Sequence, residues 1–279
     1  MRTSSNHKQH IVFLFILLGI FFFVSREEKP APVTTHTVVS RAQATSESPV
    51  LAQLPGKYEY IEITQSCGPD FEGHCMSAYA GPGFDYGKVA KLRSGMVLKV
   101  KDRIEKDGII WYRIYFDEWL RYPDRVEGDW YVPAFAGRIV TDNGTLNLSS
   151  MTPKTTKRII VDLSDNRLYA YDGDALFLTT WVATGEDFSP TPTGTFTVYK
   201  KMPSRYMQGP LPGVTDNPFD LPGVPWNLYF TEGGAVIHGS YWHNLYASEQ
   251  SSGCVNLPPE LAKILYDWAP LGTTVTIRR

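Results

Sequence analysis

The chain has 279 residues, 43% of them hydrophobic and 20% charged, with a net charge of −2. That length suits one or two ordinary domains, and the balance suits a globular protein. No basic surface is implied, which sets nucleic acid aside as a partner. Aromatic residues reach 13%, a richness that fits small β-rich domains, as core or as groove lining.

Arg2 and Lys8 precede an uncharged apolar run, Ile11 to Val24. The run is short of the ~20 residues of a full span, and Ser25 and its neighbours can extend it. The nearest Ala-x-Ala, Ala42-Gln43-Ala44, lies beyond the usual cleavage distance. Residues 1–25 are therefore expected to be an uncleaved membrane anchor, a cleaved signal segment being the alternative. Arg2 and Lys8 then stay inside and the rest of the chain lies outside, in the cell envelope. Residues 26–55 are rich in Ser, Thr, Pro, Ala and charge and read as a flexible linker, with an end-to-end reach of roughly 30 Å.

Residues 56–140 alternate short apolar runs with turns. Tyr58–Ile63 alternates at period two, Met96–Val100 and Ile109–Tyr115 follow, and Asp129–Val132 closes the set. Such spacing predicts a small barrel. The order Gly-Pro-Gly, Gly-x-x-Leu-x-Val, Asp-Gly-x-x-Trp-Tyr, Trp-Tyr-Val resembles bacterial SH3-like domains, with the Cys67 loop and Asp117–Glu127 as insertions. Trp111 and Trp130 are read as core, groove lining being the alternative. Cys67 and Cys75 bracket a turn-rich segment and can form a disulfide if the chain is exported. A metal site from Cys67, His74 and Cys75 lacks a recognised spacing and a fourth ligand. Pairing Cys67 with Cys75 leaves Cys254 odd, as a thiol enzyme needs.

A polar connection, residues 141–156, leads to residues 157–279. Arg158–Leu163, Arg167–Tyr171 and Leu176–Ala183 read as a meander, and Gly194–Tyr199 as the next strand. Lys201–Pro225 holds six prolines without periodicity and is expected to be a structureless lid. Trp226–Phe230 and Ala235–Ile237 are expected to pair, which puts His238 at a strand end. Leu261, Ile264, Leu265 and Trp268 form a helical stripe that Pro259 opens and Pro270 stops. Thr273–Ile277 is the last strand. The fold class expected is mainly β: a small SH3-like barrel, then a β-rich domain with one principal helix.

Ile237–Leu257 concentrates the chemistry. His238 ends an apolar run, and Cys254 lies between a glycine and a valine. A free thiol is mostly protonated at neutral pH, and an imidazole can take its proton. The N–H groups of Gly253 and Cys254 could face a developing oxyanion. The alternative is that Cys254 packs as a small buried hydrophobe. Cys254 also precedes the helix, whose positive end would favour a thiolate if it points that way.

His238-Gly239-Ser240, a spacer, then Ser251-x-Gly253-Cys254-Val255-Asn256 resembles the active-site motif of the L,D-transpeptidases, the YkuD domain family. Ser252 stands where many members have His. Upstream, Thr191-Pro192-Thr193-Gly194-Thr195-Phe196 resembles a second family segment. The resemblance implies a cysteine enzyme that cross-links peptidoglycan stem peptides through a thioester. It makes Cys254 the nucleophile and His238 the base, held by the Gly239 carbonyl, with Ser251 supporting the geometry. Gly253, Ser252, Asn256 and Trp242 would bind substrate or oxyanion. It implies no cofactor and no metal, and inhibition by carbapenems. An L,D-carboxypeptidase trimming the stem uses the same residues, and a non-catalytic wall-binding protein is a further alternative. Sortases and NlpC/P60 endopeptidases fit less well, since the Leu-x-Thr-Cys motif is missing and His238 precedes Cys254.

Overall fold

The computed structural model describes residues 57–126 and 128–279. The expected anchor and linker lie outside them. Among the described residues no helix is long and apolar enough to cross a membrane.

The first module is a seven-stranded antiparallel sheet. Its strands are β1 (Tyr58–Ile63), β2 (Ser77–Tyr79), β3 (Lys88–Lys91), β4 (Val97–Lys106), β5 (Ile109–Ile114), β6 (Trp130–Pro133) and β7 (Gly137–Asp142), in the order β3-β2-β6-β5-β4-β1-β7. The four runs expected from alternation are strands. The short β2 and β3 and the part-buried β7 carry too little apolar signal to stand out. Trp111 and Trp130 are core residues, 1% and 5% exposed. Cys67 and Cys75 are joined by a disulfide, so neither has a thiolate to offer a metal.

The second module has two sheets. The strands are β8 (Leu146–Asn147), β9 (Lys157–Asp162), β10 (Arg167–Asp172), β11 (Ala175–Trp181), β12 (Ala183–Gly185), β13 (Gly194–Thr197), β14 (Lys200–Gln208), β15 (Asp220–Tyr229), β16 (Val236–Gly239), β17 (Ser248–Ser251), β18 (Val255–Leu257) and β19 (Thr274–Arg278). One sheet runs β11-β10-β9-β19-β13, the other β17-β12-β18-β16-β15-β14-β8. Between β18 and β19 lies α1 (Pro259–Trp268). Ile159, Val161 and Leu168 of the first sheet, Leu228, Ile237 and Val255 of the second, and Leu261 and Leu265 of α1 share one core.

Two expectations need correction. The helix is present, but Ile264 is exposed, and the buried face is Leu261, Ala262, Leu265 and Tyr266. Trp268 stays part-buried against the same core and stacks on Phe177, ring centroids 4.8 Å apart. Lys201 Nζ then donates to the carbonyls of Tyr266 (2.7 Å) and Ala269 (2.8 Å) and closes the helix C-terminus.

Lys201–Pro225 is not structureless. Most of it is the long hairpin of β14 and β15, in register from Lys200↔Tyr229 to Gln208↔Asp220. Its prolines hid the strand pattern, and a bulge between Arg205 and Met207 absorbs the irregularity. The hairpin is docked on the first module. Ser204 Oγ donates to Val97 O (2.6 Å), Arg205 to Trp119 O (2.7 Å), and Tyr206 N–H to Glu118 Oε1 (2.8 Å). Gly223 has φ +66, and a Cβ there would lie 2.7 Å from Val97 O, so only glycine permits that approach.

Candidate active site

His238 lies on β16. Cys254 immediately precedes β18, its parallel neighbour, with Ile237 opposite Val255 and His238 opposite Asn256. Side chains alternate along a strand. Ile237, Val255 and Leu257 point into the core shared with α1, so His238, Cys254 and Asn256 share the opposite face. The pairing places the Cα atoms of His238 and Cys254 roughly 8 Å apart, a gap that an imidazole and a thiol bridge. Gly239 faces the helix side, where a Cβ would meet Pro225 at 2.8 Å and Pro259 at 2.9 Å. The residue after His238 must therefore be small for α1 to pack.

His238 is 2% exposed. Its Nδ1–H donates to Gly239 O at 3.0 Å. A carbonyl can only accept, so the proton is on Nδ1 and the Nε2 lone pair is left open. Burial lowers the His238 pKa to about 4, against the bond to Gly239, so the ring is neutral at pH 7. Cys254 is a free, part-exposed cysteine. Burial of the sulfur pushes its pKa up to about 11, offset in part by a backbone hydrogen bond from Val236. The resting pair is a neutral thiol and a neutral imidazole, not an ion pair. The helix does not favour a thiolate here: β18 separates Cys254 from α1, and Cys254 faces away from it. The macrodipole fades within the first turn.

Ser251, at the end of β17 and 9% exposed, donates from Oγ to Cys254 O at 2.6 Å. It holds the backbone of the cysteine rather than the imidazole. Thr191 Oγ1 accepts from Gly185 N–H (2.9 Å) and lies 3.5 Å from the same carbonyl. The upstream Thr191 segment thus braces the Cys254 loop. Gly253 has φ +98, a conformation that favours glycine. Among the described residues, neither the Gly253 nor the Cys254 N–H donates a backbone hydrogen bond. Ser252 is part-exposed and its side chain makes no hydrogen bond among the described residues.

The loop after β16 supplies further groups. The Trp242 ring lies 5.7 Å from His238. The buried Asn256 amide contacts His243 Nε2 at 3.0 Å. Leu245 N–H donates to His243 Nδ1 (3.3 Å), so the proton of a neutral ring sits on Nε2. The amide oxygen must then accept it, which also gives the otherwise orphaned Asn256 Oδ1 a partner. Burial lowers the His243 pKa, against a smaller pull from Asp70 of the first module. His243 and Thr191 are the residues sequence reasoning did not assign to the site. A histidine in the spacer was the only signal for the first, and its contact depends on how the loop folds back.

Asp70 belongs to the disulfide loop. Arg93 bridges that loop to this one, stacking on Phe71 (4.6 Å) and on Tyr241 (4.8 Å).

This arrangement can do thiol acyl-transfer chemistry. It has a free thiol, a neutral imidazole of defined tautomer on the same face, and N–H groups of Gly253 and Cys254 without a backbone partner among the described residues. Among the described residues no cluster of three or more metal-ligating side chains occurs.

No curated protein matches the chain. Solved structures do. An Enterococcus faecium L,D-transpeptidase, a cysteine-to-serine mutant, is 27% identical over 44% of this chain and 50% of its own, with TM-score 0.40. The catalytic domain of the E. faecium enzyme, solved by NMR, is 27% identical over 46% of this chain and 99% of its own, with TM-score 0.39. A Mycobacterium smegmatis L,D-transpeptidase is 18% identical over 61% and 91%, with TM-score 0.42. The chain spans about half the length of the first of these. Residues 156–277, which include His238, Ser251 and Cys254, match the YkuD family model, the L,D-transpeptidase catalytic domain.

Proposed function

We propose that this protein is a peptidoglycan L,D-transpeptidase that works through a thioester on Cys254. One observation carries the reading: an Nδ1-protonated neutral imidazole on β16 and a free thiol just ahead of its parallel neighbour β18 share a face, inside the family match. Cys254 attacks the carbonyl of the third residue of a tetrapeptide stem while His238 Nε2 takes the thiol proton. The oxyanion meets the N–H groups of Gly253 and Cys254, a donor set worth about 10²–10³-fold per donor. The imidazolium returns the proton to the leaving amine of the terminal D-Ala. An amine of a second stem then attacks the thioester and is joined to it; water in its place gives the trimmed stem. Ser251 and Thr191 hold the Cys254 carbonyl, so the loop does not shift as the sulfur reacts. Asn256, set by His243, and Trp242 line the substrate side.

The first module is SH3-like in this reading. It holds the hairpin and the disulfide loop beside the site, and the disulfide supports an extracytoplasmic location. Residues 1–25 anchor the chain in the membrane, and residues 26–55 let the enzyme reach the wall.

Incubation with a carbapenem, whose strained amide mimics the donor carbonyl, tests the chemistry. Intact-protein mass is expected to rise by one inhibitor on the wild type and not on Cys254→Ala. His238→Ala should acylate 10²- to 10⁴-fold more slowly. With tetrapeptides, mass spectrometry reads cross-linked against trimmed product. An adduct or cross-linking on Cys254→Ala overturns the reading.

A further inference from the structure

A cleft of about 420 Å³ lies between the first module and the β14–β15 hairpin. Neither His238 nor Cys254 lines it. Tyr115 and Trp119 form one wall, and Lys200, Arg205 and Tyr229 the other. The volume is within the usual range of small-ligand pockets, ~300–1,000 Å³.

The charges in this cleft do not balance. Lys99 pairs with Asp117 at 2.5 Å. Arg205 pairs with Glu118 at 3.3 Å and donates to Trp119 O. Lys200 has no ion pair among the described residues. Its ammonium lies 5.2 Å from the centre of the Tyr229 ring, and it is part-buried. Burial lowers its pKa, with Arg205 adding to the effect. A part-desolvated ammonium in a pocket of aromatic walls is a seat for an anion that also brings an apolar body.

The sheet relates this seat to the thiol. Lys200 pairs with Tyr229, and Tyr229 with Val236. Val236 stands beside Cys254, whose sulfur takes its backbone hydrogen bond. The four residues form one row across β14, β15, β16 and the start of β18, on one face. Three strand spacings separate the ends, roughly 14 Å. An extended peptide covers that in about four residues.

We propose that this cleft binds the carboxylate-bearing end of a peptide whose other end lies at Cys254. Lys200 is the counter-ion, and Tyr115, Trp119 and Tyr229 pack on the peptide body. Resting on the function proposed above, that peptide is the second, amine-bearing stem, whose amine reaches the thioester on Cys254 while its carboxylate end lies in the cleft. The donor's own terminal carboxylate is only one residue from the attacked carbonyl and stays near the thiol. The first module then supplies half of a substrate site, which gives its docking on the hairpin a catalytic purpose.

Calorimetric titration of the full chain carrying Cys254→Ala tests this without turnover. The probes are the tetrapeptide stem with free carboxylates and the same peptide with every carboxylate amidated. Wild-type Lys200 should bind the free acid at least tenfold more tightly than the amide. Lys200→Gln should lose that preference, and Lys200→Arg should keep it. Because the comparison is between two ligands on one protein, a change in overall stability of Lys200→Gln does not enter it. Equal binding of acid and amide to the chain with Lys200, or an undiminished preference in Lys200→Gln, overturns the proposal. Failure of Cys254 to take up a carbapenem overturns the enzymatic reading instead, and leaves this binding result standing.

Discussion

At the scale of the residue, burial decides the pH behaviour. His238 has its pKa lowered to about 4 from an ordinary 6.5, and Cys254 has its own raised to about 11. Both stay neutral between those values. Acylation should therefore run on a plateau through neutral pH and fall on the acid side as His238 gains a proton, with a midpoint well below 6.5. Stopped-flow acylation against pH reads this directly. An acid limb centred at 6.5 would mean a solvated imidazole. Stability follows the same group. Its folded pKa lies below its unfolded one, so the unfolded chain binds more protons between pH 4 and 6.5. Stability thus rises with pH across that window and is lost as pH falls through it, by about 3 kcal/mol in total. Urea melts at pH 4.5 and 7 check the sign. Residue identities in the candidate site were legible where the motif names them: His238 and Gly239 lie on β16, Asn256 on the adjacent parallel β18, Gly253 and Cys254 in the loop before it, and Ser251 at the end of β17. The contacts were not. That Ser251 donates to the Cys254 carbonyl, and that His243 reaches Asn256 across thirteen residues, follows from loop closure and not from sequence distance.

At the scale of the element, the β14–β15 hairpin carries the cleft wall and is held by the 117–126 segment of the first module. Glu118 and Arg205 are 14% and 18% exposed, and Glu118 also accepts from Tyr206 N–H. Burial raises the Glu118 pKa against the pull of Arg205. Arg205→Ala leaves that carboxylate without its cation. It should destabilise the protein by about 2–3 kcal/mol, less than the ~3–5 kcal/mol of a fully buried pair because both groups keep some water. The 209–219 tip should also become open to protease. Urea melts and limited proteolysis measure both, and wild-type behaviour in the two would show that the hairpin stands without the clamp. The hairpin was illegible in the sequence because its prolines and glycines break period two. Its strand character comes from the pairing of β14 with β15 and with β8, and of β15 with β16. The helix was legible in extent, Pro259 to Trp268, but its buried face is set by which neighbours it meets.

At the scale of the whole molecule, the two modules do not have separate interiors. Val224 and Tyr241 of the second lie in the core of the first, and Tyr60 and Val97 of the first lie in the core of the second. Gly95, at φ +95, brings the first module within 2.7 Å of Pro259 for any added Cβ. Such sharing predicts that residues 57–279 unfold in one cooperative transition by calorimetry, with the calorimetric and van't Hoff enthalpies equal. Two resolved transitions would contradict it.

The sequence alone determined what local chemistry can specify. Alternation marked most of the longer strands, the proline-bounded stripe marked the helix, and the His238 to Asn256 motif marked the reacting groups. These depend on neighbours a few residues apart. Only the tertiary structure decided the rest: the tautomer and neutrality of His238, the neutral thiol, the His243–Asn256 contact, the docked hairpin and the Lys200 cleft. Each arises where segments distant in the chain meet, so that burial and partner geometry, rather than residue type, set the outcome.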